Sequence, residues 1–385
     1  MSSTESKVPL IYSSFYRKLS IIALFLLLIF IFIFYVINKL DLNEENCKRI
    51  AITDDAPALK TINYSDDYFK YRLRDYYIKA AYNCCCAGEF KNDYVNFCAL
   101  QNCILQGARL LDFEIYSIHD NPVIAASSIN SNTYKETYNQ LNFQKAMDMI
   151  KSYAFSTAFC PTAYKDPLIL FFRINSKNKI IYNEMANILQ TTFSKNNNLL
   201  LGSSYGFEYN GNNLGKVRLK ELEKKIIIAV LKNDNTLENT KLEEITNITA
   251  SSNPDSGGSP FLRLYRQDDI GFATNSAEIT QYNKLNMSIV LPNLNKSFKN
   301  MNGTKSYDYG CQMVGMNFQN FDTNLEFNNT MFESSENPSS FVLKPPELRA
   351  DYVTIPASTP VKPNESCKGL KRCMQVGTET RCTSY

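Results

Sequence analysis

Histidine is almost absent from this chain: among 385 residues, His119 is the only one. One imidazole leaves no zinc-ligand pattern, since the common zinc sites draw on several histidines and cysteines at short spacing. A large excess of charge is also missing, because the formal net charge is +3 and no long basic run or basic patch interleaved with aromatic residues occurs. We therefore expect no nucleic-acid partner.

The eleven cysteines form no CxxC pair, and their number is odd. Cys84–Cys86 are consecutive, and neighbouring residues of a strand point to opposite faces, so the three thiols cannot converge on one metal. We predict that they are small buried side chains. Cys367, Cys373 and Cys382 lie in a tail where a disulfide would form if the domain is exported, but the sequence does not give their pairing.

A run of twenty uncharged residues, LSIIALFLLLIFIFIFYVIN, fills positions 19–38 between Lys18 and Lys39. At 1.5 Å per residue, a helix of this length reaches about 30 Å, which is the thickness of a bilayer core. A buried core helix would show a polar stripe, and a cleavable signal peptide would have a shorter apolar run that ends in small residues. The run therefore predicts a transmembrane helix.

Charges on either side of this span indicate its orientation. Basic residues precede the span and acidic residues follow it: Lys7, Arg17 and Lys18 on one side, and Asp41, Glu44 and Glu45 on the other. Basic residues in short flanking segments favour the cytosolic side. We expect a single-pass membrane protein with residues 1–18 in the cytosol and the main domain on the opposite side.

After the span, the hydrophobic pattern alternates between strand and helix. Leu168–Ile174 is a fully apolar run of the kind found in buried parallel sheets, whereas other segments carry apolar residues at helical spacing. This alternation favours an α/β fold. The predicted elements are strands at Tyr77–Tyr82, Arg109–Tyr116 and Leu168–Ile174, and helices at Asn96–Leu105 and Gln144–Phe155.

Two carboxylates share one face of the predicted strand Arg109–Tyr116. Because side chains alternate along a strand, Asp112 and Glu114 project to the same side. Two such charges need a cation or a raised pKa to remain buried. Oxygen ligands suit a hard ion such as Ca²⁺. The alternative is an internal salt bridge with Arg109 or with a lysine.

Two strings of residues are specific enough to compare with a known family. One is GCQMVGMNFQ at 310–319, followed by Leu343-Lys344-Pro345, and the other is Gly107–Tyr116, followed by Asn121–Ile124. The first string resembles the second conserved box of eukaryotic-type phosphoinositide-specific phospholipase C, and the other resembles the first box, so the two boxes follow each other along the chain in the family's order. Between them, Leu219–Leu231 looks like the strand that closes the first half of the family's barrel.

This resemblance implies a distorted TIM (β/α)8 barrel of the phospholipase C-like phosphodiesterase type, with its chemistry at the C-terminal ends of the strands. A segment rich in Asn, Thr and Ser looks like the linker between the two halves of the family's barrel, and we expect a second insertion at 286–304. The predicted regions after the span are a stalk at 39–75, a first barrel half at 76–232, a linker at 233–260, a second half at 261–349 and a tail at 350–385.

The resemblance also implies a calcium site. Asp112 and Glu114 match two calcium ligands of the family, in swapped order, and Asn83 matches a third ligand on the first strand. Arg173 stands at the position of the fourth ligand, which is a glutamate in the family. A fixed cation there would repel Ca²⁺ or replace it by pairing with the two carboxylates. We therefore treat Ca²⁺ as a weakened cofactor prediction.

The catalytic histidines of the family have no counterpart in this chain. Tyr82 and Ala126 stand at the two positions, where the family's imidazoles handle protons and stabilise the pentavalent phosphate. General acid and base groups each contribute about 10²- to 10⁴-fold to a rate. His119 lies in a predicted turn, and we expect it at the surface, so no residue is assigned as catalytic.

Headgroup-binding positions of the family are partly retained. Ala229 and Leu231 stand at positions where lysines of the family bind the phosphates of the inositol ring. Arg263 and Tyr265 match residues that contact the inositol headgroup, although arginine and tyrosine on a barrel strand can equally form structural hydrogen bonds.

These features predict a membrane-anchored phospholipase C-like barrel that has lost catalysis and that binds an anionic phospholipid headgroup or a partner protein. It resembles membrane-tethered, single-barrel forms in large DNA viruses and some protists. One alternative is an active phosphodiesterase that uses His119, Tyr82 or a metal-bound water. Another is a virion or cell-surface attachment protein that uses the barrel as a scaffold. The sequence does not give the oligomeric state.

Overall fold

The computed structural model describes residues 8–52, 57–129, 134–194, 198–202, 205, 212–252, 258–295, 297–350, 371–376 and 379–384. The chain divides into two compact units, Met1–Arg349 and Ala350–Tyr385. In the second unit, Lys371–Val376 pairs with Glu379–Ser384 as an antiparallel hairpin whose register places Cys373 opposite Cys382. Cys367, the third tail cysteine, lies outside the described residues.

A nearly closed barrel of parallel strands forms the core of the first unit. Its described strands are β1 (Tyr76–Ala81), β2 (Leu110–Ile118), β3 (Asn121–Ile124), β4 (Leu141–Asn142), β5 (Leu168–Ile174), β6 (Ile226–Leu231), β7 (Ile248–Ala250), β8 (Leu262–Arg266), β9 (Met287–Leu291), β10 (Met313–Met316) and β11 (Phe341–Leu343). The barrel order is β7-β6-β5-β2-β1-β10-β9-β8. A parallel bridge between Ser251 and Arg263 joins the two ends. Outside this circuit, β3 extends β2 as a hairpin and β11 pairs antiparallel with β1.

Helices surround this barrel and cover the outer faces of its strands. The described helices after the span are α2 (Phe97–Leu105), α3 (Phe143–Tyr153), α4 (Lys179–Phe193), α5 (Lys241–Ile245), α6 (Gln267–Gly271), α7 (Ser276–Leu285), α8 (Thr304–Asp308) and α9 (Thr323–Glu333). Asparagine side chains accept a backbone N–H in the first turn of several of them: Asn96, Asn142, Asn178 and Asn275. This bond satisfies a donor that has no partner within the helix. Because helices cover the outside, β5 is buried on both faces, as its apolar sequence predicts.

The predicted α/β barrel is confirmed. The prediction for Leu168–Ile174 coincides with β5, and most other predicted elements differ from the observed ones by one or two residues at an end. Leu219–Leu231 is an exception, since the strand begins only at Ile226. The predicted linker at 233–260 contributes α5 and the barrel strand β7, and the predicted insertion at 286–304 contains β9.

The N-terminal helix α1 (Val8–Ile52) contains the predicted span. Its segment Phe15–Ala51 is long and apolar enough to cross a membrane, with a mean hydropathy of 3.2 in its most apolar window. The helix does not end where a stalk was predicted to begin, because it continues for thirteen residues beyond Lys39. The later part of the predicted stalk is not free either, since Leu59, Ile62 and Phe69 are buried in the barrel's core.

Candidate functional site

Four polar side chains meet at the C-terminal end of the barrel. Asn83 follows β1, Asp112 and Glu114 lie on β2, and Arg173 lies on β5, the strand next to β2. All four are buried, so they form a polar cluster inside the barrel. We call these residues the mouth cluster. The structure thus brings together Asn83, Asp112 and Glu114, the three residues predicted to share a metal site.

The guanidinium of Arg173 contacts each of the other three residues. It donates two hydrogen bonds to the carboxylate of Asp112, from Nε at 2.7 Å and from Nη2 at 2.9 Å. It also lies 3.4 Å from Glu114 Oε2 and donates to Asn83 Oδ1 at 2.6 Å. A two-pronged bond of this kind fixes both the position and the orientation of the guanidinium.

Neighbouring groups complete the hydrogen bonding of the cluster. Glu114 Oε1 accepts bonds from the Tyr116 hydroxyl and from Asn175 Nδ2, and the backbone N–H of Asn83 donates to Asp112. Asn83 has a φ of 41°, in the left-handed region that asparagine tolerates better than most residues. Burial raises the pKa of Glu114, although the nearby guanidinium of Arg173 opposes the shift.

A calcium ion does not fit at this cluster while Arg173 holds this position. Ca²⁺ takes six to eight oxygen ligands, but the oxygens of the three predicted ligands already accept N–H groups of Arg173. Among the described residues, no group of three or more His, Cys, Asp or Glu side chains is arranged to hold a metal ion. Of the two effects predicted for Arg173, the geometry favours replacement of the ion by pairing with the carboxylates.

The other predicted partner for the carboxylates, Arg109, points elsewhere. Its guanidinium donates to the carbonyl oxygens of Ala154 and Ala163, at 3.1 and 2.7 Å, and to Cys160 Sγ. The predicted salt bridge is therefore present, but it is made by Arg173. The three consecutive cysteines Cys84–Cys86 are buried thiols, as predicted.

The two positions assigned to the family's histidines are also buried. The Tyr82 ring lies beside the mouth cluster, with its centroid 5.0 Å from Cζ of Arg173. Ala126 is fully buried and carries only a methyl group. His119 is exposed at the turn between β2 and β3, where it and Asp120 have positive φ angles. Five residues separate it from Glu114, about 16 Å along a strand, so no imidazole reaches the cluster.

A small cavity of about 130 Å³ opens beside the mouth cluster. We call it the mouth cavity. It is lined by residues that the sequence prediction did not select, notably Asn175, Arg266 and Asp269, and by Leu231 at one of the lost lysine positions. Asn175 follows Arg173 by two residues, so strand alternation would have placed it on the same face. Arg266 bonds the Pro292 carbonyl oxygen at 2.9 Å and is half-buried.

The predicted headgroup residues on β8 do not line the mouth cavity. Arg263 donates to Glu278 Oε1 at 2.8 Å and to the Tyr265 hydroxyl at 3.1 Å, and its Cζ lies 3.8 Å from the centroid of the Tyr282 ring. Arg263, Tyr265 and Glu278 border a separate cavity of about 480 Å³. Because neighbouring strand residues face opposite sides, Arg266 reaches the mouth cavity and Arg263 does not.

Solved structures similar to this chain are phospholipases C. L. pealei PLC21 matches with a TM-score of 0.59 and 19% identity, and S. officinalis PLC21 with 0.60 and 19%; each match covers 73% of this chain and 38% of the other. The chain thus spans less than two fifths of those proteins. A calcium-dependent phosphoinositol-specific phospholipase C from Pseudomonas sp. matches with a TM-score of 0.40 and 11% identity, over 69% of this chain and 95% of the other. A comparison with curated proteins finds no match.

Two family models match most of the barrel. The X domain of phosphatidylinositol-specific phospholipase C matches residues 69–232, which include the mouth cluster, and the Y domain matches residues 266–347. Arg263 and Tyr265 lie just before the second match. The chain belongs to the phosphatidylinositol-specific phospholipase C family.

Proposed function

We propose that this chain is a membrane-anchored, catalytically inactive member of its family that binds anionic phospholipid headgroups at the mouth of its barrel. The observation that carries the proposal is the position of Arg173, whose guanidinium bonds all three residues assigned as calcium ligands. A metal ion can take an oxygen of the substrate as an additional ligand. The guanidinium of Arg173 cannot bind a substrate oxygen in this way, because its N–H groups point at Asp112, Glu114 and Asn83.

The absence of imidazoles supports the same conclusion. Tyr82 and Ala126 stand at the assigned histidine positions, and burial raises the pKa of Tyr82, so its hydroxyl stays protonated and supplies no phenolate to act as a base. Loss of a general acid and a general base together costs about 10⁴- to 10⁸-fold in rate. An enzyme with a turnover of about ten per second would then be left with almost no activity.

Arg266 is the residue we propose for headgroup contact. It lies at the end of β8 and borders the mouth cavity, where its side chain is half-buried rather than enclosed. Guanidinium groups bind phosphate through pairs of parallel N–H bonds. The bond from Arg266 to the Pro292 carbonyl oxygen uses one nitrogen and leaves the guanidinium further donors for a phosphate.

A scaffold function is the second candidate, and the size of the mouth cavity favours it. Ligand pockets for small molecules usually enclose about 300–1,000 Å³, whereas the mouth cavity encloses about 130 Å³. Only part of a headgroup, such as its phosphate, would enter this space. A protein that binds no headgroup would use the barrel to present a surface to a partner protein.

The orientation of the barrel is part of the proposal. Cys47 and Cys98 form a disulfide, and disulfides persist in oxidising compartments rather than in the cytosol. The charges that flank the span favour the same arrangement. We propose that residues 1–18 face the cytosol and that the barrel lies on the opposite side of the membrane.

Hydrolysis and binding by the full chain in phosphatidylcholine nanodiscs test these functions. We expect no release of inositol phosphate from added phosphatidylinositol lipids, with Ca²⁺ or with a chelator. Release above the level of protein-free discs, lost in Asp112→Asn, would establish the active-enzyme alternative.

Binding of soluble inositol phosphates to the same discs is measured by calorimetry. We expect Arg266→Ala to weaken binding about tenfold or more, since hydrogen bonds to charged groups contribute about 1.5–3 kcal/mol. Arg263→Ala is the matched control, because it removes an arginine from the same strand but from the opposite face. No heat of binding in the unaltered protein would favour the scaffold function.

A further inference from the structure

The part of α1 beyond the span is fastened to the barrel. We call Lys39–Ile52 the juxtamembrane segment. Asn46, only 1% exposed, donates to Asp93 Oδ1 at 2.7 Å, and one turn of the same segment carries the disulfide between Cys47 and Cys98. A disulfide to α2 and a buried hydrogen bond to the loop before α2 hold this segment against the barrel, so that it is not a flexible linker.

The contacts of the juxtamembrane segment show which end of the barrel it packs against. From the span outward, the contacts are Lys39 Nζ with Asn92 O at 3.4 Å, Asn43 with Asn96 at 3.0 Å, Asn46 with Asp93, Cys47 with Cys98, Arg49 with Ala87 O and the Phe298 ring, and Ile50 with Ala87 and Ala99. All these partners lie in the loop that joins β1 to α2, in the first turn of α2 or in the loop after β9. Loops that follow parallel strands, and the helix starts they lead to, lie at the C-terminal end of a barrel. The segment next to the membrane span therefore packs against the C-terminal end, which carries the mouth cavity.

Distances along α1 place the mouth close to the bilayer surface. At 1.5 Å per residue, Cys47 lies about 12 Å beyond Lys39, and the headgroup layer on one side of a bilayer is about 5–8 Å thick. The contact between Lys39 and Asn92 thus falls at the level of the headgroups, and the disulfide lies just outside them.

One loop at the mouth has the composition of a membrane interface. Its residues at 125–129 and 134–139, which we call the rim loop, include the exposed side chains Ile129, Tyr134 and Tyr138. Lys39 Nζ lies 6.0 Å from the centroid of the Tyr138 ring. Tyrosine and lysine are enriched at the boundary between lipid and water. Ile129 also borders the mouth cavity, so the rim loop connects the cavity with the expected lipid surface.

We propose that the juxtamembrane segment clamps the barrel mouth-first onto the membrane that α1 spans, so that the rim loop lies in its headgroup layer and the mouth cavity meets only lipids of that same membrane. The proposal rests on the membrane anchoring proposed above but not on headgroup binding. A barrel on a flexible stalk could reach a second membrane or a soluble partner; a clamped barrel cannot turn its mouth outward.

Tryptophan fluorescence in lipid discs tests this arrangement directly, because the chain contains no tryptophan. Ile129→Trp places a reporter on the rim loop. Phe159→Trp is the matched control: Phe159 is exposed to nearly the same extent, 48% against 51% for Ile129, but it lies in the loop between α3 and β5, at the opposite end of the barrel. Phe30→Trp reports on the span itself. Each variant is placed in discs with and without brominated phospholipids, which quench tryptophan only at close range.

We expect strong quenching of the reporter at position 30 and quenching at position 129 that exceeds that at position 159 by roughly twofold or more. Quenching at position 30 with none at position 129 would support the membrane anchor but contradict the proposed orientation of the barrel. Equal quenching at 129 and 159 would show a barrel without a fixed orientation, which also overturns it. A lack of quenching at 30 would reject both the anchor and the clamp. Peptide mapping without reduction must recover the linked pair Cys47–Cys98, and separate peptides would contradict the clamp.

Discussion

Removal of the Arg173 guanidinium is the most direct test of the mouth cluster. In Arg173→Ala, two buried carboxylates lose their cation, since Asp112 and Glu114 are at most 2% exposed. Breaking a buried ion pair by removing one partner typically costs about 3–5 kcal/mol. A shift of about 2–4 °C per kcal/mol then gives a melting temperature lower by roughly 6–20 °C.

The destabilisation of Arg173→Ala should depend on pH and on Ca²⁺ if it comes from the unpaired carboxylates, but not if it comes only from lost packing. Burial already raises the pKa of Glu114 with Arg173 present, and removal of the guanidinium raises that pKa further. A carboxyl group with a raised pKa destabilises the fold at high pH, and protonation relieves the cost as the pH falls. We therefore expect a larger loss at pH 8 than at pH 5. Ca²⁺ should restore part of the stability of Arg173→Ala, because Asn83, Asp112 and Glu114 then offer it free oxygens.

Thermal unfolding followed by circular dichroism measures these effects in the full chain. The control is Arg263→Ala, whose partner Glu278 is half-exposed and whose ion pair should contribute about 1 kcal/mol or less. The unaltered protein should be indifferent to millimolar Ca²⁺. A Ca²⁺-dependent rise in its melting temperature, or an Arg173→Ala variant as stable as the control at pH 8, would refute the role of Arg173 as the built-in cation.

Three further substitutions test buried groups by urea unfolding. Lys79 is fully buried, and its amine has no hydrogen-bond partner among the described residues. Burial lowers the pKa of Lys79 to about 8. Lys79→Met should therefore stabilise the fold by up to about 3 kcal/mol below pH 8. Between pH 8 and 10.5, the folded state of the unaltered protein binds fewer protons at Lys79 than the unfolded state does. The extra stability of Lys79→Met should therefore vanish as the pH rises through that range. Extra stability that does not depend on pH would contradict this explanation. Burial also lowers the pKa of Lys344, to about 7, so this residue is tested above pH 10.5, where the amine is largely neutral in the folded and the unfolded state. There Lys344→Met should destabilise the fold by about 2 kcal/mol, because the amine donates to the carbonyls of Asn283 and Gly310, and an unchanged stability would contradict that role. Gly310→Ala should lower the stability of the fold by about 1–2 kcal/mol, because Gly310 has a φ of 73°, a left-handed conformation that alanine adopts only with strain. An unchanged stability would contradict that conformation.

The barrel could be predicted because its signals are local. Apolar runs and helical spacing located β5 and α3, and alternation along β2 placed Asp112 and Glu114 on one face. The sequence also predicted a cation as their partner but left open whether it was Ca²⁺, Arg109, a lysine or Arg173. That choice depends on the neighbouring strand, because β5 pairs with β2 so that Arg173 lies opposite Glu114.

Other features were missed because their causes are not local. A barrel strand of three residues, β7, is too short to show a period. The polar composition of the juxtamembrane segment resembles a stalk, and only packing against the barrel explains why the helix continues to Ile52. The partner of Cys47 lies 51 residues away in sequence, so spacing gives no indication of the pair. Arg266 was missed because Arg263 and Tyr265 matched the family pattern by residue type, whereas strand direction decides which side chain faces the cavity.

The charges of the mouth cluster show how its carboxylates are balanced within the chain. Two carboxylates and one guanidinium give a formal charge of minus one. The family arrangement, in which the resemblance places a third carboxylate at position 173 together with a divalent ion, gives the same charge. On the function proposed above, Arg173 replaces both a ligand and the ion it binds, and the two carboxylates hold Arg173 in place.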